Sequence, residues 1–368
     1  MTILQTTWSW YIAWYLFLAG AGAGAYLAGA IAGYLNHKYT LASKIGVALG
    51  APLVVIGTLF LVLDLGHPER FLLVFSSPTS MITVGSTIIS VFMILGLIHL
   101  GFWIWPFKLL EKRPAARKAL GLLGVIFAVG TAVYTGILLG VVNATPFWNN
   151  AILPLLFLVS ATSTGAGAVV VGLAVYHEKR TGEEQQHILE SIKALGKFDA
   201  ILVALELIVL FFYMAVTSTV NPLSSEAVQL LTSGALAPLF WGGLIAAGLL
   251  VPLVLETSGI IREKAIASGT LVLSAAISGI LVLLGGLVLR YSVLAAGISA
   301  GSPVYSPGQE LFFPSYPPQW VSAFLPTYGP SAIDYAIVAG FFIVLAAIYF
   351  VGAKIIPAPK LSTAKKVQ

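Results

Sequence analysis

A succession of apolar runs, each about as long as a bilayer is thick, constrains this chain more than any other feature. They fall near residues 10–35, 45–65, 81–105, 119–141, 151–176, 198–219, 236–258, 267–290 and 332–353. About 20 apolar residues in helical form span the hydrocarbon core, whereas a membrane β-strand needs only about 10 in alternating pattern. Because lipid offers no partner to an open backbone N–H or C=O, runs of this length fold as helices. With 58% hydrophobic and 9% charged residues and a mean hydropathy of +0.97, the chain cannot cover a water-soluble globule of its size. The fold class expected is an all-α integral membrane protein of about nine transmembrane helices, multi-pass in the cytoplasmic membrane. The stretch before the first run lacks a basic n-region and a small-residue cleavage site, so that run is expected to stay as the first span.

Charge sets the expected orientation. Seventeen of the 19 basic residues lie after odd-numbered runs: Lys38 and Lys44; Lys108, Lys112, Arg113, Arg117 and Lys118; Lys179, Arg180, Lys193 and Lys197; Arg262 and Lys264; and Lys354, Lys360, Lys365 and Lys366. Only Arg70 and Arg290 lie on the other side. The positive-inside rule places the N-terminus outside, the C-terminus in the cytoplasm and the chain across the membrane an odd number of times. The net charge of +5 is thus accounted for by topology, and nucleic acid is not expected as a partner; membrane lipid is.

Phe17-Leu18 and the small residues up to Ala25 recur 140 residues on, at Phe157-Leu158 and the run through Gly165, and His37 matches His177. Four spans per repeat gives two halves of the same orientation, a parallel repeat. The expected division is a first four-helix bundle at 1–143, a second at 144–297, an external loop at 298–331 rich in Pro, Gly and aromatics, and a ninth helix with a basic tail at 332–368. Gly20, Gly24, Gly29 and Gly33 in the first run, with Gly165, Gly167 and Gly172 in the fifth, suit close helix packing, for which lipid supplies no hydrophobic drive.

Ionisable residues inside a bilayer are costly, so each is a candidate for function. The densest group is LDLGHPERF (63–71), where Asp64, His67, Glu69 and Arg70 share one turn broken by Gly66 and Pro68. A quinone needs hydrogen-bond donors at its two carbonyls, a proton donor or acceptor beside each and an apolar groove for its tail. Asp64 and His67 supply proton chemistry at the membrane boundary; the alternative is charges that merely neutralise one another, with Arg70 on Asp64 or Glu69. Tyr134, in YTGILLG (134–140), lies at the same depth, and is either a site residue or part of an interfacial aromatic belt with Trp8, Trp10, Tyr11, Trp14 and Tyr15. In the other half of the bilayer, Asp199 and Glu206 lie seven residues apart, on one helical face about 10 Å apart. Glu256 and His99 occupy the same half. Together they form a candidate proton pathway; the alternative is hydrogen-bonded acids that only stabilise the bundle, and a structural histidine.

The chain has no cysteine, so it holds no Cys-ligated iron–sulfur cluster. Haem b is disfavoured, because of His37, His67, His99, His177 and His187 only His99 lies well inside a run. No Walker A, GxGxxG or HExxH pattern offers a soluble-enzyme alternative.

Four segments, in this order and spacing, are similar to the NrfD and polysulfide reductase membrane-subunit family: FLAGAGAGAYLAGA (17–30), LDLGHPERF (63–71) with SPTSMITVGS (77–86), YTGILLG (134–140) and PLLFLVSATSTGAG (154–167). The resemblance covers spans one to eight. It implies a menaquinone- or ubiquinone-binding anchor subunit beside a ferredoxin-like iron–sulfur protein, which contacts a molybdopterin or multihaem catalytic subunit. It further implies a quinone site at the outer ends of the first helices, with a tyrosine of the fourth and the acidic turn after the second; here these are Tyr134, Asp64, His67 and Arg70, with Trp14 nearby. The outer part of span one has no Asn or His, so a polar contact that a relative makes from that helix is absent. Proton conduction through inner acids, proposed for some relatives, maps onto Asp199, Glu206 and Glu256. The rival readings are a secondary transporter or proton channel, which needs no redox partner, and a passive anchor without a quinone site. Chemistry at the terminal substrate belongs to a partner in every version of the family reading.

Overall fold

A computed structural model describes residues 10–35, 40–65, 67–104, 114–262, 267–300 and 343. Every regular element among them is helical: α1 (Trp10–Leu35), α2 (Thr40–Leu63), a 3₁₀ helix (Pro68–Phe75), α3 (Met81–Ile104), α4 (Pro114–Gly140), α5 (Ile152–His177), α6 (Glu183–Val220), α7 (Pro222–Thr232), α8 (Leu239–Ile261) and α9 (Ser268–Ala300). Eight of them, all but α7 and the 3₁₀ turn, are long and apolar enough to cross a membrane. The expected ninth span, the segment from 301 to 331, the basic tail and residues His37, Lys38, Lys108, Lys112, Arg113 and Lys264 lie outside the described residues.

Close approaches fix how the helices run. Gly22, Gly29 and Gly33 of α1 meet Gly50, Gly46 and Ser43 of α2, a descending series that makes the pair antiparallel. α3 and α4 are likewise antiparallel, with Gly85 on Tyr134 and Ile88 on Gly130, as are α5 and α9, with Gly167 on Gly279 and Thr164 on Gly286. α1 and α5 differ: Gly20 meets Ala161 and Gly24 meets Gly165, so these two run parallel. α1 and α5 thus lie side by side, in contact at residues separated by about the offset of the sequence match between them. A Cβ on Gly24 would collide with the carbonyl oxygen of Ala161, and one on Gly165 with the backbone of Gly24. Only glycine permits this approach, and dispersion between bare backbones replaces the hydrophobic drive that lipid withholds.

Alternation of direction collects Lys44, Lys118, Lys179, Arg180, Lys193, Lys197 and Arg262 at one end of the bundle, here called the basic end; the opposite end carries the starts of α1, α3, α5 and α8. α1 is the most enclosed span, packed on α2, α4, α5 and α9, whereas α3 and α8 turn most of their surface outward. The outward residues are apolar, Ile94, Leu97 and Ile98 on α3 and Val254 on α8 among them, as lipid contact requires.

Four features differ from the sequence expectation, each for a physical reason. α9 continues ten residues past Arg290, where the run was expected to stop at its charge; the guanidinium is satisfied inside the protein, so the charge does not end the span. α6 begins at Glu183, before its apolar core, on an amphipathic stretch that buries Ile188, Leu189, Ile192 and Leu195. α7 was not anticipated: the Asn221 side chain caps it by accepting from the Leu223 N–H at 2.9 Å, and Pro222 stands at its first turn. α8 is π-helical over Leu239–Leu250 and α-helical over Val251–Ile261; the change falls beside Pro252, which has no N–H to continue the ladder.

At the end opposite the basic one, Trp148 ties the loop before α5 to α9. Its indole N–H donates to the Val293 carbonyl at 2.8 Å, in a space that Gly297 leaves open. Trp148→Phe removes that donor and part of a fully buried ring, and is expected to cost about 1–3 kcal/mol. A lower apparent Tm of the detergent-solubilised protein measures it, and an unchanged Tm would contradict the tie.

Candidate functional site

Two groups of polar residues stand out, one at each end of the bundle. The first begins with aromatic rings at the start of α1. Trp14 stacks on Phe60 of α2 with ring centroids 6.3 Å apart, Tyr11 stacks on the same ring at 5.9 Å, and Trp10 meets Trp14 edge-on at 5.5 Å. Asp64 lies one helical turn beyond Phe60, on the same face of α2. It is half-buried, and its N–H bonds the Phe60 carbonyl at 3.1 Å, so α2 carries it as a rigid extension.

Tyr134 of α4 is buried, with its ring over Gly85 of α3; a Cβ there would overlap the phenol ring. Tyr15 of α1 is within electrostatic reach of Tyr134, is fully buried, and has a hydroxyl with no hydrogen-bond partner. Trp14 and Tyr15, assigned by sequence to an interfacial belt, are therefore interior residues; Trp10 and Tyr11 remain half-exposed. Sequence reading missed Tyr15 as a site residue. The available signal was its spacing: Tyr15 and Tyr26 are eleven residues apart, three full turns, and both face α4, at Tyr134 and at Gly124.

His67 and Arg70 sit elsewhere. His67 Nδ1 pairs with Glu69 Oε1 at 3.1 Å, with both side chains about two-thirds exposed, and Arg70 is exposed as well. The 3₁₀ helix they open buries none of its residues, and it turns Phe71, Leu72, Leu73 and Phe75 outward beside Leu59, Leu63, Met81 and Ile82. The structure therefore places Trp14, Tyr15 and Tyr134 below the surface, Asp64 at the boundary, and His67 and Arg70 on the rim.

The second group runs along α5, α6, α8 and α9. Near the basic end, a half-open cavity of about 40 Å³ is lined by Lys193, Lys197, Gly196, Glu256, Gly259 and Ser274. Glu256 Oε1 accepts from the Ser278 hydroxyl at 2.8 Å. Asp199, almost fully buried, faces Glu256 and Ser163 within hydrogen-bonding reach. Two buried carboxyls and a hydroxyl set this close together can share a proton. Two turns further along α6, Glu206 lies against Ser160 and within electrostatic reach of Arg290. Arg290 is fully buried, donating through Nη1 to Ser160 Oγ at 2.8 Å and to the Gly286 carbonyl at 2.9 Å, and through Nε to the Leu16 carbonyl at 3.3 Å. Its guanidinium lies 5.3 Å from the centre of the Phe157 ring. Sequence reading assigned Arg290 only to a side of the membrane. Its position inside a run that stays apolar on both sides, with SVLAAGISA after it, was the unused signal.

The structure brings Asp199, Glu206 and Glu256 into this one seam. His99, grouped with them by depth, lies on α3, where its Nδ1 and the Tyr26 hydroxyl are 2.6 Å apart, over Gly124 of α4.

Comparison with known proteins places these features in a family context. The family model for polysulphide reductase, NrfD, matches residues 3–300. The C subunit of polysulfide reductase from Wolinella succinogenes is 31% identical over 313 residues, covering 79% of this chain and 94% of that protein. Protein NrfD of Escherichia coli is 28% identical over 323 residues, covering 79% and 94%. The Hdr-like menaquinol oxidoreductase integral membrane subunit of Archaeoglobus fulgidus is 23% identical over 360 residues, covering 92% and 82%.

Proposed function

The chain belongs to the polysulphide reductase NrfD family, and from that premise we propose that it is the quinone-reactive membrane subunit of a respiratory oxidoreductase complex. Electrons pass between membrane quinone, menaquinone or ubiquinone, and a ferredoxin-like iron–sulfur partner, which serves a molybdopterin or multihaem catalytic subunit. The buried phenol pair Tyr134 and Tyr15, at the same end of the bundle as Asp64, carries this reading. The names of the relatives, a menaquinol oxidoreductase subunit among them, support it.

The residues present fit a quinone. The Tyr15 hydroxyl is an orphaned buried donor, Tyr134 offers a second phenol, and Trp14 and Phe60 form a flat wall. The apolar residues around Leu59, Leu63 and Met81 give an isoprenoid tail a lipid-side path. Oxidation of a quinol releases two electrons, which the partner takes, and two protons. Tyr134 would orient one ring oxygen by hydrogen bonding, Asp64 would accept the two protons one after the other at the boundary, and His67 on the rim would pass each to water, with Arg70 staying a fixed cation beside it. Reduction runs the same steps backward.

The seam supplies the proton route at the other end. Facing carboxyls such as Glu256 and Asp199 pass a proton from one to the other, and Ser163 and Ser160 continue the line to Glu206. His99 with Tyr26 is a second, separate titratable pair on the first set of helices. The parallel run of α1 and α5 does not favour a transporter built on an inverted repeat.

Purification of the intact complex from native membranes tests the assignment. A cysteine-rich ferredoxin-like chain and extractable quinone are expected to co-purify; a lone, quinone-free protein would instead favour the transporter. Added quinone is expected to quench the fluorescence of Trp10 and Trp14, and no quenching would identify a passive anchor. Tyr134→Phe and Asp64→Asn are each expected to lower quinol turnover by about tenfold to a hundredfold while the complex stays assembled. Unchanged turnover in both would remove these residues from the site.

A further inference from the structure

Arg290 is the only Lys or Arg buried among the described residues. Such a charge is tolerated inside a membrane protein only with partners, and its partners here come from three neighbouring helices and its own. α1 gives the Leu16 carbonyl, with Gly20 beside Nη2; α5 gives Ser160 and the Phe157 ring; α6 gives Glu206; and its own helix gives the Gly286 carbonyl. Nη2 remains without a hydrogen-bond partner. The guanidinium thus stands between the carboxyl seam and α1, at the residue next to Tyr15.

Resting on the proton-route reading of Asp199, Glu206 and Glu256, we propose that Arg290 is the electrostatic barrier that closes this route against passive flow toward the phenol end of the bundle. The chemistry of the side chain separates this role from that of a relay. A relay must give up a proton, as His, Asp, Glu or Lys does, whereas guanidinium does not deprotonate in proteins. A fixed cation in a low-dielectric passage repels a migrating proton, as charged constrictions do in pores that exclude cations. Glu206 compensates the charge from the seam side and is also the last acid before it, so a proton arriving there meets the guanidinium. Tyr15 and Tyr134 lie beyond it, which leaves quinone-linked protons to leave through Asp64 rather than run back through the seam.

The test uses the intact complex in proteoliposomes that contain a pH-sensitive dye, with a potassium diffusion potential as the driving force and no quinol present. Wild-type vesicles are expected to be tight. Arg290→Gln is expected to raise passive proton entry by about tenfold, the scale of one removed charge in a poorly screened passage. Arg290→Lys keeps the charge and is expected to stay near wild type, and adding Asp199→Asn to Arg290→Gln is expected to abolish the leak. Arg290→Met, which removes the charge while keeping much of the side-chain bulk, is expected to leak as Arg290→Gln does, and serves as the test if the Gln variant does not assemble. A tight Arg290→Gln variant, or a leak that survives Asp199→Asn, overturns the barrier. The route itself is read separately, from proton uptake during quinol turnover in Asp199→Asn. Loss of that uptake beside a tight Arg290→Gln refutes the barrier alone, whereas unchanged uptake refutes the route and the barrier with it.

Discussion

Gly24→Val is expected to remove nearly all correctly folded protein from the membrane. The new side chain would meet the backbone of α5 at Ala161, opposite Gly165, and a carbonyl oxygen cannot rotate away as a side chain can. Overpacking in a core costs about 1–3 kcal/mol where side chains adjust; two facing backbones leave α1 and α5 no response except to separate. That separation also breaks the Arg290 contact to Leu16 and the packing of α1 on α9. Against a total stability of about 5–15 kcal/mol, the loss is decisive. Membrane abundance and the gel-filtration profile in detergent measure it, with Gly24→Ala expected to show the same defect in weaker form. A monodisperse Gly24→Val protein at normal abundance would mean that the two helices do not meet here.

Gly85→Val is expected to cost quinol turnover about a hundredfold, the scale on which a misplaced proton donor acts, while the complex still assembles. Valine at this position overlaps the Tyr134 ring, so the phenol must swing away from Tyr15 and from the quinone that it orients. α3 presents much of its surface to lipid and has room to shift, which keeps the fold intact where Gly24→Val does not. A double variant separates the causes, since Tyr134→Ala in the Gly85→Val background vacates the space and should return the apparent Tm toward wild type without restoring turnover. Turnover at the wild-type level in Gly85→Val would show that Tyr134 does not act at the quinone.

The spans were legible because bilayer thickness imposes a length that few other folds require. All eight described spans were anticipated, and so was the helix-packing role of the glycines. What was not legible depended on partners distant in sequence. Arg290 read as the end of a span because an isolated charge is costly in lipid; only Ser160 and Leu16, 130 and 274 residues away, make it an interior residue. Tyr15 read as belt for a related reason, since an aromatic at a span terminus looks the same from sequence whether lipid or α4 faces it. The acids Asp199, Glu206 and Glu256 were found from their rarity in apolar runs, and the structure gathers them. His99 passed the same test of rarity, yet its partner is Tyr26 on α1. Depth in the membrane is readable from sequence, but which side of a helix meets which neighbour is not.

The enclosure of α1 bears on how the protein is made. This helix leaves the ribosome before the other described spans, yet the surfaces that cover it come from α2, α4, α5 and finally α9. α2 covers Gly22, Gly29 and Gly33 first, but Gly20 and Gly24 must wait in the bilayer until α5 has been synthesised and inserted beside them. Arg290 arrives later still, and cannot be satisfied before Leu16, Ser160 and Glu206 are assembled around it. Biogenesis therefore closes on its beginning: the last described span locks the first, and any chain stopped before Arg290 is left with an open seam for quality-control proteases to recognise.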